Sequence, residues 1–131
     1  LVIIPKYNGE EGDMRVVIID QGRDGLTPEQ ATKRANSVIS LRNKFEAVRF
    51  RDSSDSFEVE VWEGCERVLE LDAKDLLVFP DSYNEGLVSQ ARKENPLPRV
   101  VVFTEDPPNG NPFRLSYKWL SLELAEDIAF L

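Results

Sequence analysis

The chain contains no histidine, which removes the commonest general base, the imidazole metal ligand, and every Ser-His-Asp or Cys-His catalytic arrangement. It has one cysteine, Cys65, so neither an internal disulfide nor a thiolate zinc cluster can form. Gly64 and Glu66 flank it, a turn-like setting without the positive charge that activates a thiolate. A reducing compartment, the cytoplasm, is the expected location. No apolar run exceeds four residues, against the roughly 20 that a membrane-spanning helix needs, so no membrane association is expected. A phosphate-cradling glycine loop is missing too, because Gly22-Arg23-Asp24-Gly25 has neither the Lys-Ser/Thr ending of a P-loop nor dinucleotide-fingerprint spacing.

What is present is the composition of a folding chain: 131 residues, 41% hydrophobic and 31% charged. That length suits one hydrophobic core. The expectation is a single α/β domain over residues 1–131, standing alone or belonging to a longer chain. The sequence begins at Leu1 without a methionine, and no signal peptide is expected from Leu1-Val2-Ile3-Ile4, which Pro5 and Lys6 interrupt.

Three continuous apolar runs, Val16–Ile19, Leu76–Phe79 and Val100–Phe103, have the pattern of strands buried on both faces, and Leu1–Ile4 is a candidate fourth. Thr27-Pro28-Glu29-Gln30 carries helix-start chemistry, with Thr27 as cap, Pro28 in the first turn and Gln30 closing a capping box. The spacing predicts a helix over 28–47, with Ala31, Ala35, Val38, Ile39 and Phe45 on its apolar stripe. A second capping box at Ser82–Glu85 predicts a helix over 83–94 that stops before Pro96. Between 48 and 71, Phe57, Val59 and Val61 alternate with glutamates, as do Leu69 and Leu71, which predicts an antiparallel hairpin turning near Gly64. Residues 105–112 are a Pro-, Asn- and Gly-dense loop, and a last helix is expected from about Lys118. The expected fold class is α/β: a largely parallel sheet flanked by helices, with an antiparallel hairpin insertion. An α+β arrangement is the alternative.

The net charge of −8 argues against a surface that tracks nucleic acid. Within it, Pro28–Arg51 holds six bases against two acids, a local +4. Lys33, Arg34, Arg42 and Lys44 are therefore candidates for contact with an anionic partner, nucleic acid included but not favoured, beside the plain reading of a solvated helix face. Trp62 is a further candidate contact, either covered by a helix or exposed on the hairpin. Phe130 and Leu131 are candidates for self-packing or for docking on a protein partner or a second copy of the chain.

Carboxylates remain for chemistry. In a parallel α/β sheet the ligand crevice lies beyond the carboxyl ends of the strands, where Asp20, Asp81 and Glu105-Asp106 fall. Asp20, Asp81 and Asp106 are candidate ligands for Mg²⁺, a hard cation that prefers oxygen. Equally, aspartates at such positions cap backbone amides in turns, and no cofactor is then required.

Arg15-Val16-Val17-Ile18-Ile19-Asp20 resembles the first strand and acidic end of a response-regulator receiver domain. Asp75-Leu76-Leu77-Val78-Phe79 resembles its third strand, and Val101-Val102-Phe103-Thr104 resembles the strand that ends in that family's Thr or Ser. The resemblance implies Mg²⁺-holding acids at Asp20, a phospho-acceptor at Asp81 and a switch residue at Thr104. Pro80 stands where the acceptor would be expected, Gln21 replaces part of the acidic pair, and no lysine closes a fifth strand. These departures imply a degenerate, pseudo-receiver domain that binds partners without accepting phosphate. The expected function is thus a non-enzymatic interaction or regulatory domain. The alternatives are a Mg²⁺-dependent phosphoryl-transfer or phosphoester enzyme, and an acidic inhibitor or immunity-type protein that masks a basic surface.

Overall fold

In the computed structural model, residues 14–21, 25–51, 57–80, 85–103, 114–115, 125 and 128–129 are described. The apolar runs form strands because each is buried from both sides. β1 (Met14–Asp20), β3 (Leu76–Phe79) and β4 (Arg99–Phe103) lie inside the sheet, while β2 (Phe57–Glu63) and the two-residue β5 (Arg114–Leu115) are its outer members. The order is β2-β1-β3-β4-β5, and every pair is parallel. The protein is an α/β domain.

Alternate residues of each strand feed two cores. On one face Met14, Val16 and Ile18 meet Val38, Leu41, Phe45 and Val48 from helix α1 (Pro28–Arg51), together with Ala125, Ile128 and Ala129. On the other, Val17, Ile19, Leu77 and Phe79 meet Val68 and Leu71, and also Val88 and Ala91 from helix α2 (Glu85–Glu94). Each fully buried Leu, Ile or Phe here contributes about 1.5–3 kcal/mol.

The capping box at the start of α1 forms in both directions. The Gln30 N–H donates to Thr27 Oγ1 at 3.1 Å, and the Thr27 N–H donates to Gln30 Oε1 at 3.0 Å. The helix runs four residues past the expected Ala47, because Val48 continues the stripe set by Leu41 and Phe45 and is fully buried. Ile39, expected on that stripe, is 57% exposed, and Leu41 takes the core position instead.

The expected antiparallel hairpin does not form. β2 alternates because it is an edge strand, and it pairs parallel to β1, with Val59 opposite Val16 and Glu63 opposite Asp20. Gly64, at φ +88°, turns the chain as anticipated, but into a 3₁₀ turn over Val68–Glu70 rather than a return strand. In that geometry residues three apart eclipse, which buries Val68 and Leu71 and leaves Leu69 outside. Phe57, Val59 and Val61 alternated for one reason and Leu69 and Leu71 for another.

The β2–β3 crossover is therefore thin, a single 3₁₀ turn where the opposite face has a helix of 24 residues. Buried polar groups compensate. Asn95 Nδ2 donates to the carbonyls of Val68 (2.8 Å) and Leu71 (2.9 Å), tying the turn to the end of α2. Asp75, at the start of β3, accepts the Arg15 and Asp72 N–H groups. Arg99 donates to the Lys74, Ile128 and Ala129 carbonyls. Burial lowers the Arg99 pKa from the ordinary arginine value, with Asp75 opposing it. This belt fastens the amino edge of the sheet and leaves the carboxyl edge to carry a site.

Candidate site at the carboxyl edge of the sheet

β1 connects outward to β2 on one side, whereas β3 connects to β4 on the other, so the strand order reverses between β1 and β3. Crevices in open α/β sheets open at such switch points, beyond the carboxyl ends of the strands. Asp20 and Gln21 end β1 there, and Pro80 follows β3.

Asp20 is half-buried, and its carbonyl accepts the Gly64 N–H at 3.1 Å, which fixes the end of β1 against the end of β2. Gln21 is the unusual residue: its Nε2 and Oε1 atoms are both sealed from solvent and have no hydrogen-bond partner among the described residues. Leaving such groups unmade costs about 1–3 kcal/mol each. Pro80 is buried and offers neither an N–H nor an ionisable group. Among the described residues, the switch point is thus lined by one carboxylate, one neutral amide and one imino-acid ring. Asp81, Thr104 and Asp106 lie outside the described residues, and among the described residues no group of three or more Cys, Asp or Glu is placed to hold a metal.

Cys65, next along from the Gly64 turn, is half-buried. Burial, reinforced by Glu66 and Glu94, pushes its thiol up to about 11. It is a neutral packing group at physiological pH, not a nucleophile.

The sequence-predicted contact residues do not form one surface. Lys33, Arg42 and Lys44 are exposed, but Arg34 is buried. At about 100° per residue, Lys33 and Lys44 share one flank of α1 while Arg42 lies nearly opposite, across the buried stripe. Arg49 is turned to structural use, its Nε–H donating to the Phe57 carbonyl at 2.9 Å. The +4 segment is therefore two separate flanks rather than a patch. Along the amino-terminal half of the same helix, Leu26, Pro28, Ala31, Thr32, Ala35 and Asn36 line a shallow groove of about 440 Å³.

Trp62 is 5% exposed, and of the two placements open to it the structure takes the covered one. Its indole N–H donates to Glu60 Oε1 at 2.8 Å, and the Arg67 guanidinium stacks 4.3 Å from the ring centroid. Arg67 in turn makes a two-pronged pair with Glu70, which lowers the Glu70 pKa and raises that of Arg67. This salt-bridged arginine is thus part of the cover over Trp62, which also shares its core with Val88 and Ala91 of α2. Phe130 and Leu131 lie outside the described residues, although Ile128 and Ala129 just before them are buried in the first core.

In the sequence Gln21 reads only as a missing acid; an uncharged polar residue directly after an apolar strand is the signal that marks its own chemistry. A hairpin reading of Phe57–Glu63 hides that β2 is an outer strand, bonded to β1 alone among the described residues. No family model, no curated protein and no solved structure matches the chain.

Proposed function

We propose that this chain is a non-enzymatic interaction domain of receiver-like build, regulating a protein partner by surface contact. The observation that carries this reading is the pair Gln21 and Pro80 at the switch point. A buried amide and a buried proline ring stand where the resemblance to receivers would put the second acid and the phospho-acceptor. Neither can ionise, and neither can take up a phosphoryl group. The strand order supports the same reading, being the doubly wound order in which receiver domains are also built. The single cysteine, held as a thiol, suits a reducing, cytoplasmic setting.

The competing reading, Mg²⁺-dependent phosphoryl transfer, would need Asp20 to bind the ion together with Asp81 or Asp106. Calorimetric titration with MgCl₂, with and without acetyl phosphate, separates the two. The expected result is no heat that depends on Asp20. Millimolar or tighter Mg²⁺ binding that disappears in Asp20→Asn overturns the interaction reading. The charge of −8 favours a basic partner surface over an acidic one, and that is the feature shared with inhibitor or immunity-type proteins.

A further inference from the structure

β2 is the outer strand on its side of the sheet, bonded to β1 alone among the described residues. Which of its backbone groups face outward follows from two bonds. The Gly64 N–H donates inward to the Asp20 carbonyl. In a parallel ladder alternate residues turn both backbone groups toward the same neighbour, so Glu58, Glu60 and Trp62 face β1 with Gly64. Phe57, Val59, Val61 and Glu63 therefore turn theirs outward. The Arg49 Nε–H on the Phe57 carbonyl agrees, since it reaches the strand on a group the ladder leaves over. Among the described residues, no hydrogen bond occupies the outward backbone groups of Val59, Val61 or Glu63.

The side chains beside this open edge are sorted by face. Glu58 and Glu60 stand on the face shared with Trp62. Val59, packed on the first core, and Val61, 37% exposed, stand on the other. A strand laid along the edge would set one alternate series of its side chains against two glutamates and the other against two valines. Edge glutamates commonly serve to prevent pairing between identical edges, and here a second copy is disfavoured for that reason, because two β2 strands would oppose their acids. The same charges select a strand of opposite sign.

We infer that the outer edge of β2 is a docking edge for an extended basic segment of a protein partner, one alternating Lys or Arg with β-branched apolar residues, which joins the sheet as a further strand. This deepens the interaction reading and rests on it. Main-chain bonds to Val59, Val61 and Glu63 hold the segment, and the two faces of β2 choose its side chains.

The test is amide hydrogen exchange and titration by NMR on the full chain, with a blocked peptide of alternating lysine and valine as long as β2. Exchange at Val59, Val61 and Glu63 slows about tenfold or more with saturating peptide, while Glu58, Glu60 and Trp62, already bonded to β1, are unchanged. Glu58→Lys, a fully surface change, weakens binding several-fold at low salt. The inference is overturned if the alternate amides show no added protection. It is overturned equally if a glutamate-valine peptide or a peptide N-methylated on its bonding edge binds as well. Protection of the same three amides that grows with protein concentration in the absence of peptide would assign the edge to a second copy and overturn the basic-partner inference. Failure here with Mg²⁺ still without effect leaves the interaction reading on another surface. Mg²⁺ binding lost in Asp20→Asn overturns that reading and leaves the exchange pattern to be judged by itself.

Discussion

The Arg15 backbone N–H donates to Asp75 Oδ1 at 2.8 Å across a separation of 60 residues, tying the start of β1 to the start of β3. The same carboxylate accepts the Asp72 N–H at 2.9 Å on its other oxygen, and the Arg15 guanidinium stands 3.6 Å away. The Asp75 side chain is 1% exposed, so its partners have no water to turn to. Asp75→Ala is expected to lower stability by about 3 kcal/mol or more, the worth of two charge-assisted bonds to a buried carboxylate. Asp75→Asn recovers less than half, because the two N–H donors lie on different carboxylate oxygens and the asparagine NH2 would face one of them donor to donor. Urea denaturation checks both, and a loss under about 1 kcal/mol for the alanine variant would contradict the account.

Trp62 separates a packing role from a contact role. It fills the second core at the end of an edge strand and is covered by Arg67. Trp62→Ala is expected to cost about 3–5 kcal/mol, whereas Trp62→Phe, which keeps a ring but loses the bond to Glu60, costs about 1 kcal/mol. If Trp62 were a partner contact instead, the alanine variant would keep its melting temperature and lose binding.

Much of this fold was legible because the strongest local signals agreed with one another. Val16–Ile19, Leu76–Phe79 and Val100–Phe103 were continuous apolar runs, and a strand buried on both faces has no other pattern. Thr27 and Gln30 marked the start of α1 to the residue. The hairpin error came from a real ambiguity. Alternation shows that a strand has one wet side, but an edge strand in a parallel sheet and one arm of a hairpin are wet for different reasons. Leu69 and Leu71 then completed the wrong pattern, since spacing by two cannot reveal that Val68 and Leu71, spaced by three, are the buried pair. At the candidate site, Asp20 was placed correctly at the end of β1. The burial of the Gln21 amide depends on what closes over it, which no local pattern encodes.

Cys65 gives a prediction that depends on pH. Its thiol is held at about 11 by burial and by Glu66 and Glu94, and only the thiolate reacts with alkylating reagents. A shift of about two units leaves roughly one-hundredth of the thiolate present in a free cysteine at pH 8, so alkylation should be about a hundredfold slower than for the unfolded chain. The rate should keep rising about tenfold per pH unit toward pH 11. Iodoacetamide kinetics followed by mass spectrometry measure this, and a plateau near pH 9 would show that the thiol is not held in its neutral form.

Gln21 gives the most direct test of the switch point. An amide with both polar atoms sealed, and without a partner among the described residues, has given up its water bonds for nothing, and replacing such a group by an apolar one of similar shape is neutral or favourable. Gln21→Leu is therefore expected to raise stability by about 1 kcal/mol. Gln21→Glu should do the reverse at neutral pH, because burial disfavours the carboxylate and raises its pKa in the folded state above the unfolded value of about 4.3. With that sign, the variant matches the parent below about pH 4.3 and loses stability as pH rises through the folded-state pKa. Urea titrations at a series of pH values read both variants. A Gln21→Leu protein less stable than the parent would mean that the amide is bonded after all. A Gln21→Glu protein that recovers its loss when Mg²⁺ is added would mean that one substitution restores an ion site beside Asp20, and the interaction reading would then have to yield to the carboxylate chemistry it displaced.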